Sequence, residues 1–228
     1  MALCPALCLA ATPAHIDRLR MQADAGRDPQ ALSTLHQIAH NGPPDAQRAL
    51  GEVLLRLPGG ERANEALKGL AWLERAAAQE DQAALLLLGK TWFLGAPGVN
   101  ADARKARAWL EKVNTEKLPQ AAYYLGLIEK KSNPAQALTH FTTAANGGVA
   151  EAMYQLGNSY AHGEGVDHDP RAAMRWYLKA AALEHPQALQ ELAQAFTRGD
   201  TLLPQSELQA DNMRRAVEHA LRHPKAAP

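Results

Sequence analysis

Two histidine pairs stand at the spacing of metal ligands on one helical turn: His36 with His40, and His219 with His223. An i, i+4 pair puts both imidazoles on one face, the arrangement from which a zinc site is built. Neither pair encloses the glutamate of a metalloprotease helix, since the intervening residues are Gln-Ile-Ala and Ala-Leu-Arg. With no cysteine beside them, they read as surface histidines. Asp167-His168-Asp169 offers carboxylates and an imidazole for acid–base work, but it lies between a turn and a helix. There Asp169, followed by Pro170, reads as an N-cap. The glycines of Gly163-Glu-Gly-Val166 are not followed by the Gly-Lys-Ser/Thr of a phosphate loop. No Ser-His-Asp set assembles without arbitrary choices. The expectation is a protein with no catalytic residue, no metal and no cofactor.

The elements that would hold such residues are short helices. Ala152, Leu156 and Tyr160 are spaced i, i+4, i+8 and share a face. Gly163-Glu-Gly-Val166 ends that helix, and after Asp169-Pro170 a second stripe follows with Ala173, Trp176, Tyr177 and Ala180. Such a helix pair buries little by itself and needs neighbours. These are visible. Leu156-Gly157 has counterparts at Leu125-Gly126, Leu88-Gly89 and Leu50-Gly51, at steps of 31, 37 and 38 residues. Trp176 answers to Trp109 and Trp72, with His140-Phe141 in the intervening unit. Gly95…Gly98-Val99-Asn-Ala-Asp102 repeats the turn at 163–169 with one inserted residue, while Lys131-Ser-Asn-Pro134 shortens it. Periods of this size mark a helical solenoid.

The pattern Ala-x-x-x-Leu-Gly-x-x-Tyr-x-x-Gly-x-Gly-Val-x-x-Asp, then Ala-x-x-Trp-Tyr-x-Lys-Ala-Ala, resembles the Sel1-like repeat, a relative of the tetratricopeptide repeat. The match is full at 152–181, good at 84–112, partial at 46–77 and 121–145, and weak before 42 and after 199. The resemblance implies an all-α fold: a right-handed α-solenoid of antiparallel helix pairs that serves as a protein-interaction scaffold. The expected array runs from 15 to 222 in units of about 15–41, 42–79, 80–116, 117–147, 148–183 and 184–222, with a disordered tail at 223–228. Within it Leu156, Tyr160 and Trp176 are expected in the core.

Composition narrows the function classes. Of 228 residues 46% are hydrophobic but only 5% aromatic, and small side chains suit close helix stacking. Lysine plus arginine and aspartate plus glutamate both number 24, so the basic surplus of a nucleic-acid binder is missing. Cys4 and Cys8 lie ahead of the repeats, which sets the chain apart from the disulfide-rich branch of the family and its β-lactam chemistry. Residues 1–14 read either as the remnant of a secretory signal, from the apolar run 2–11, or as a disordered terminus. The first reading places the protein in the periplasm or outside the cell, the second in the cytoplasm. No segment reaches the ~18 uncharged apolar residues of a membrane span.

In this superhelix class the first helix of each pair lines the concave face, and likeness to tetratricopeptide units aligns the groove positions. These are Arg48, Glu52 and Arg56; Leu86, Lys90 and Phe93; Tyr123, Leu127 and Lys130; and Tyr154, Asn158 and His162. Apolar anchors among cations suit a peptide or protein segment, an acidic one by the charge of the row. Three segments, at 85–90, 120–126 and 137–148, are also similar to the repeats of alginate-export scaffold lipoproteins. The leading expectation is therefore a non-enzymatic scaffold of an envelope or secretion complex, with exopolysaccharide export as its narrower form. The alternatives are a cytoplasmic regulatory adaptor or chaperone and, behind it, a cell-wall or β-lactam hydrolase.

Overall fold

Proline decides where half of the helices among the described residues begin. Pro13, Pro29, Pro44, Pro134, Pro170 and Pro186 each open one, a position whose N–H has no partner within the helix and whose φ is already set by the ring. The computed structural model describes residues 12–24, 28–40, 42–57, 62–199 and 205–223. The apolar run at 2–11, the glycine-rich segment 58–61 and the tail 224–228 lie outside these residues. Among the described residues the regular structure is helical, apart from an isolated bridge between Ala96 and Val99. The fold class is the expected one, an all-α repeat.

The chain divides into two compact units, Met1–Lys112 and Val113–Pro228. The first holds α1 (Pro13–Asp24), α2 (Pro29–His40), α3 (Pro44–Arg56), α4 (Arg62–Ala77), α5 (Gln82–Leu94) and α6 (Ala103–Leu110). The second holds α7 (Gln120–Glu129), α8 (Pro134–Asn146), α9 (Ala150–His162), α10 (Pro170–Ala182), α11 (Pro186–Arg198) and α12 (Glu207–Arg222). Each odd-numbered helix packs on the even-numbered one that follows, and neighbouring pairs pack through contacts such as α1 on α3 and α8 on α9.

Within a pair, the leucine of Leu-Gly is sealed and the glycine is where the helices meet. Leu50, Leu88 and Leu156 are at most 1% exposed. A Cβ on Gly157 would lie 2.4 Å from the Tyr177 ring, and one on Gly126 2.5 Å from the Phe141 ring. Leu110 stands in the same relation to Gly89. The side chain behind the glycine is thus the residue after the repeat's indole position, and that residue is buried. The indoles themselves, expected in the core, are half-buried at its margin. An indole is too bulky for the gap opposite glycine. It lies across the rim instead, under a cation three residues on: Arg75 over Trp72 at 4.6 Å, Lys112 over Trp109 at 4.4 Å, Lys179 over Trp176 at 4.0 Å. Tyr160 is half-buried too, packed against the Tyr177 cluster.

Two hydrogen-bond devices recur. The N–H that starts the second helix bonds back to the first: Asp102 to the Trp92 carbonyl (2.7 Å), Asp169 to Tyr160 (3.0 Å), Ser206 to Phe196 (3.0 Å). Between pairs, one residue goes left-handed, namely Glu80 (φ 63°), Gly148 (φ 86°) and Glu184 (φ 62°). The next N–H then reaches five residues back, as Asp81 does to Ala76, Val149 to Ala144 and His185 to Ala180.

Candidate functional site

The residue two positions before the repeat leucine points toward the next pair, and the two units fill that slot differently. In the first unit it is Leu86 on α5 and, on α3, Arg48. Its guanidinium pairs with Asp81, the N-cap of α5, at 3.2 Å and with Glu52 at 3.2 Å. Glu52 is in turn 3.6 Å from Arg20 of α1. Burial works against the charge on Arg48, and the two carboxylates outweigh it. Arg56 pairs with Asp24 at 2.8 Å. These groove candidates therefore form a ladder across α1, α3 and the start of α5. On α5, Leu86, Lys90 and Phe93 are half-buried and Leu94 is exposed.

In the second unit the slot holds tyrosines on α7 and α9. Tyr154 stacks on the His185 ring at 4.9 Å and lies 5.8 Å from Tyr177. Tyr123 sits 5.3 Å from Tyr124 and 6.3 Å from Phe141. Leu127 packs on the same cluster. Asn158 accepts from the Tyr177 hydroxyl at 2.8 Å. Lys130 donates to Gln155 at 3.0 Å and lies 3.6 Å from Glu164. His162 is exposed. The sequence-derived row thus exists as half-buried side chains, most of them already engaged across or within the pairs.

The sequence missed the cavity beside this row. It holds about 410 Å³ and is lined by the turn before α9 (Gly147 to Glu151), the turn before α11 (Leu183 to Pro186), Gln120 of α7, and Ala220, Leu221 and His223 at the end of α12. Gln120 and Glu151 occupy the groove position five before the repeat leucine. His185 is buried, and its Nδ1 accepts the Ala188 N–H at 3.3 Å, so it caps α11 as Asp81 caps α5. Burial lowers the His185 pKa, opposed by the Glu151 charge. Burial and then Glu151 raise that of Tyr123. Burial, Tyr123 and Glu151 together push Tyr124 to about 12. One signal could have led here: His185-Pro186 places a capping side chain and a proline at the start of α11, as Asp169-Pro170 does at the start of α10.

The histidine pairs do other things. His36 meets Trp72 edge-on at 5.8 Å, and His219 and His223 lie 5.1 Å apart with no third ligand-type side chain among the described residues. Asp169 caps α10, accepting from the Arg171 and Ala172 N–H groups at 2.9 and 3.0 Å. No helix among the described residues is long and apolar enough to cross a membrane.

Comparison with known proteins adds four matches to one family model, described as the Sel1 repeat, at 44–81, 82–112, 119–149 and 150–185. The chain is 35% identical over 146 residues to the alginate biosynthesis protein AlgK of Pseudomonas syringae pv. tomato, covering 62% of this chain and 30% of AlgK. It thus spans about a third of that relative. Among solved structures, a Sel1 repeat protein from Oxalobacter formigenes matches with a TM-score of 0.77 at 25% identity, over 92% of this chain and 89% of its own. A protective antigen of uropathogenic Escherichia coli with an SLR fold matches with a TM-score of 0.70 at 27% identity, over 83% of this chain and 41% of its own.

Proposed function

The chain belongs to the Sel1 repeat family, whose members act as protein-interaction scaffolds, and on that premise we propose that it is a non-enzymatic scaffold holding a peptide or protein segment on the row of its first helices. In the second unit that row is Tyr123, Leu127, Lys130, Tyr154, Asn158 and His162; in the first it is Arg48, Glu52, Arg56, Leu86, Lys90 and Phe93. The single observation that supports this reading is the cavity of about 410 Å³ beside Tyr123 and Tyr154, a size suited to a side chain or short segment of another molecule. Aromatic groups held by stacking lose little entropy when a partner settles on them, which makes them efficient anchors. The likeness to an alginate biosynthesis protein supports a place in a bacterial envelope complex, on the periplasmic side, with exopolysaccharide export as its process.

The test is photo-crosslinking in the native host. A benzophenone amino acid is placed at Phe93 or His162 on the row, and at Leu178, an exposed leucine of α10. The row positions are expected to capture one and the same envelope protein, with Tyr123→Ala reducing the yield from His162. Capture from Leu178 with none from the row would move the binding face elsewhere.

A further inference from the structure

We propose that the cavity bounded by the turns before α9 and α11 and by the end of α12 receives a basic side chain, lysine or arginine, of the bound segment. The inference rests on the reading of the α7, α9 and α11 row as the binding face and names what that face selects. The charge of the lining decides the sign. Glu151 and Glu184 contribute carboxylates, and among the described residues no lysine or arginine lines the space. Glu151 is half-buried and in ion-pair contact with no cation among the described residues, yet its field reaches Tyr123, Tyr124 and His185. A carboxylate partly withdrawn from water and left without a counter-ion is a site waiting for one.

One further polar group of the lining agrees. His185 already uses Nδ1 as an acceptor for the cap of α11. Gln120 Oε1 is buried and receives no donor. The Gln120 oxygen therefore calls for a donor from outside, while the remaining His185 nitrogen, Nε2, carries the ring hydrogen and is itself a donor. The starts of α9 and α11 pull the opposite way, since a helix N-terminus favours anions. That effect amounts to roughly half a charge and fades within a turn, while Glu151 supplies a full one. Leu183 and Leu221, 39% and 65% exposed, offer the apolar walls along which a lysine or arginine stem lies. Cations on the row itself do not argue for an acidic segment, because Arg48, Arg56 and Lys130 already face Asp81, Asp24 and Glu164.

The experiment is calorimetric titration of the full chain with three blocked peptides of alanine and leucine that differ only at the centre: lysine, norleucine or glutamate. The lysine peptide is expected to bind about tenfold or more tighter than the norleucine peptide, a difference of ~1.4 kcal/mol, and the glutamate peptide weakest. Glu151→Gln is expected to bring lysine down to the norleucine level without changing the norleucine value. In NMR spectra the His185 ring protons should move with the lysine peptide. Equal affinity for lysine and norleucine, or preference for glutamate, overturns the inference. If the peptides bind without regard to the central residue and Tyr123→Ala abolishes that binding, the cavity inference falls while the face stands. If Lys225→Ala shifts the His185 protons in the free chain and the lysine peptide does not, the cavity belongs to the chain's own terminus and the inference is equally lost.

Discussion

Arg48 and Tyr154 occupy the same place in the repeat, two residues before the leucine that seals each pair, and they join neighbouring pairs by opposite chemistry. Arg48 bridges two carboxylates whose side chains are only 12% and 17% exposed. Tyr154 lies against an imidazole and a phenol. The caps they touch differ in the same sense: Asp81 offers a carboxylate that takes a guanidinium, and His185 offers a ring that takes a ring. The repeat therefore fixes a geometry, a side chain reaching from one first helix to the cap of the next, and leaves its chemistry open. One consequence concerns function. On α3 the first unit neutralises its row internally, whereas α7 and α9 of the second keep the row aromatic and leave the Glu151 charge beside it without a cation among the described residues.

The largest difference is expected at the glycines. Gly157→Ala drives a methyl into the Tyr177 ring, which is buried and tied to Asn158 through its hydroxyl. Overpacking of a ring that cannot rotate away costs ~3 kcal/mol, against ~1 kcal/mol gained in helix propensity. Gly89→Ala meets the Leu110 side chain, whose methyls can swing aside, with the nearest backbone atom at 3.4 Å. There the two effects should nearly cancel. Urea melts of the two variants measure this, and a Gly89 variant as damaged as the Gly157 one would show that the leucine is as confined as the tyrosine.

The links themselves come next. Arg48→Met leaves two partly buried carboxylates without their donor and should cost ~2 kcal/mol at low salt. Since ions screen such pairs, the cost should shrink at about 1 M sodium chloride. Tyr154→Leu gives up ring contacts of ~1 kcal/mol, and salt should leave that loss unchanged. Hydrogen exchange of α3 with α5, and of α9 with α11, reads each unit separately. A salt-sensitive Tyr154 variant would break the comparison outright.

Acid should then separate the two caps. Burial lowers the His185 pKa from the ordinary histidine value of 6.5, so the unfolded chain holds the proton more readily than the folded one. Stability is complete above that ordinary value and falls as the pH drops below it, until the folded group titrates as well. Protonation also takes away the lone pair that accepts the Ala188 N–H. One proton limits the slope to ~1.4 kcal/mol per pH unit. Exchange at the start of α11 should quicken between neutral pH and mild acid, the start of α5 under Asp81 should not change, and His185→Asn should flatten the α11 response.

Much of this was legible in the sequence, for a physical reason. Leu-Gly at a fixed step needs no tertiary information to be seen, because the gap it makes lies within one helix pair. The same regularity misled at Trp72, Trp109 and Trp176. Apolar spacing marks the face a residue lies on and not how deep it sits, and the adjacent Leu73, Leu110 and Tyr177 take the depth. Gln47 was invisible for the complementary reason. It is a polar residue in a buried position, donating to the Ala39 carbonyl at 3.3 Å and accepting from Gln79 at 2.8 Å. The cavity could not be seen either, since it is assembled from two turns and the end of α12, and no local pattern announces where separate turns converge.

The smallest expected effect concerns the left-handed residues. Glu80 and Glu184 hold φ near +60° where the equivalent turn has Gly148. A side chain in that region costs ~1 kcal/mol or somewhat more, and glycine returns part of the gain through its looser unfolded chain. Glu80→Gly should therefore stabilise the first unit by roughly 0.5 kcal/mol, with no effect on binding. Glu184→Gly should stabilise the second unit comparably while removing one of the two carboxylates that line the cavity. If that variant also weakens the lysine peptide relative to norleucine, the strained glutamate is retained at the turn for its charge. If lysine selectivity is untouched, Glu184 is no more than Glu80 is, a side chain at an exposed turn, and Glu151 alone carries the preference.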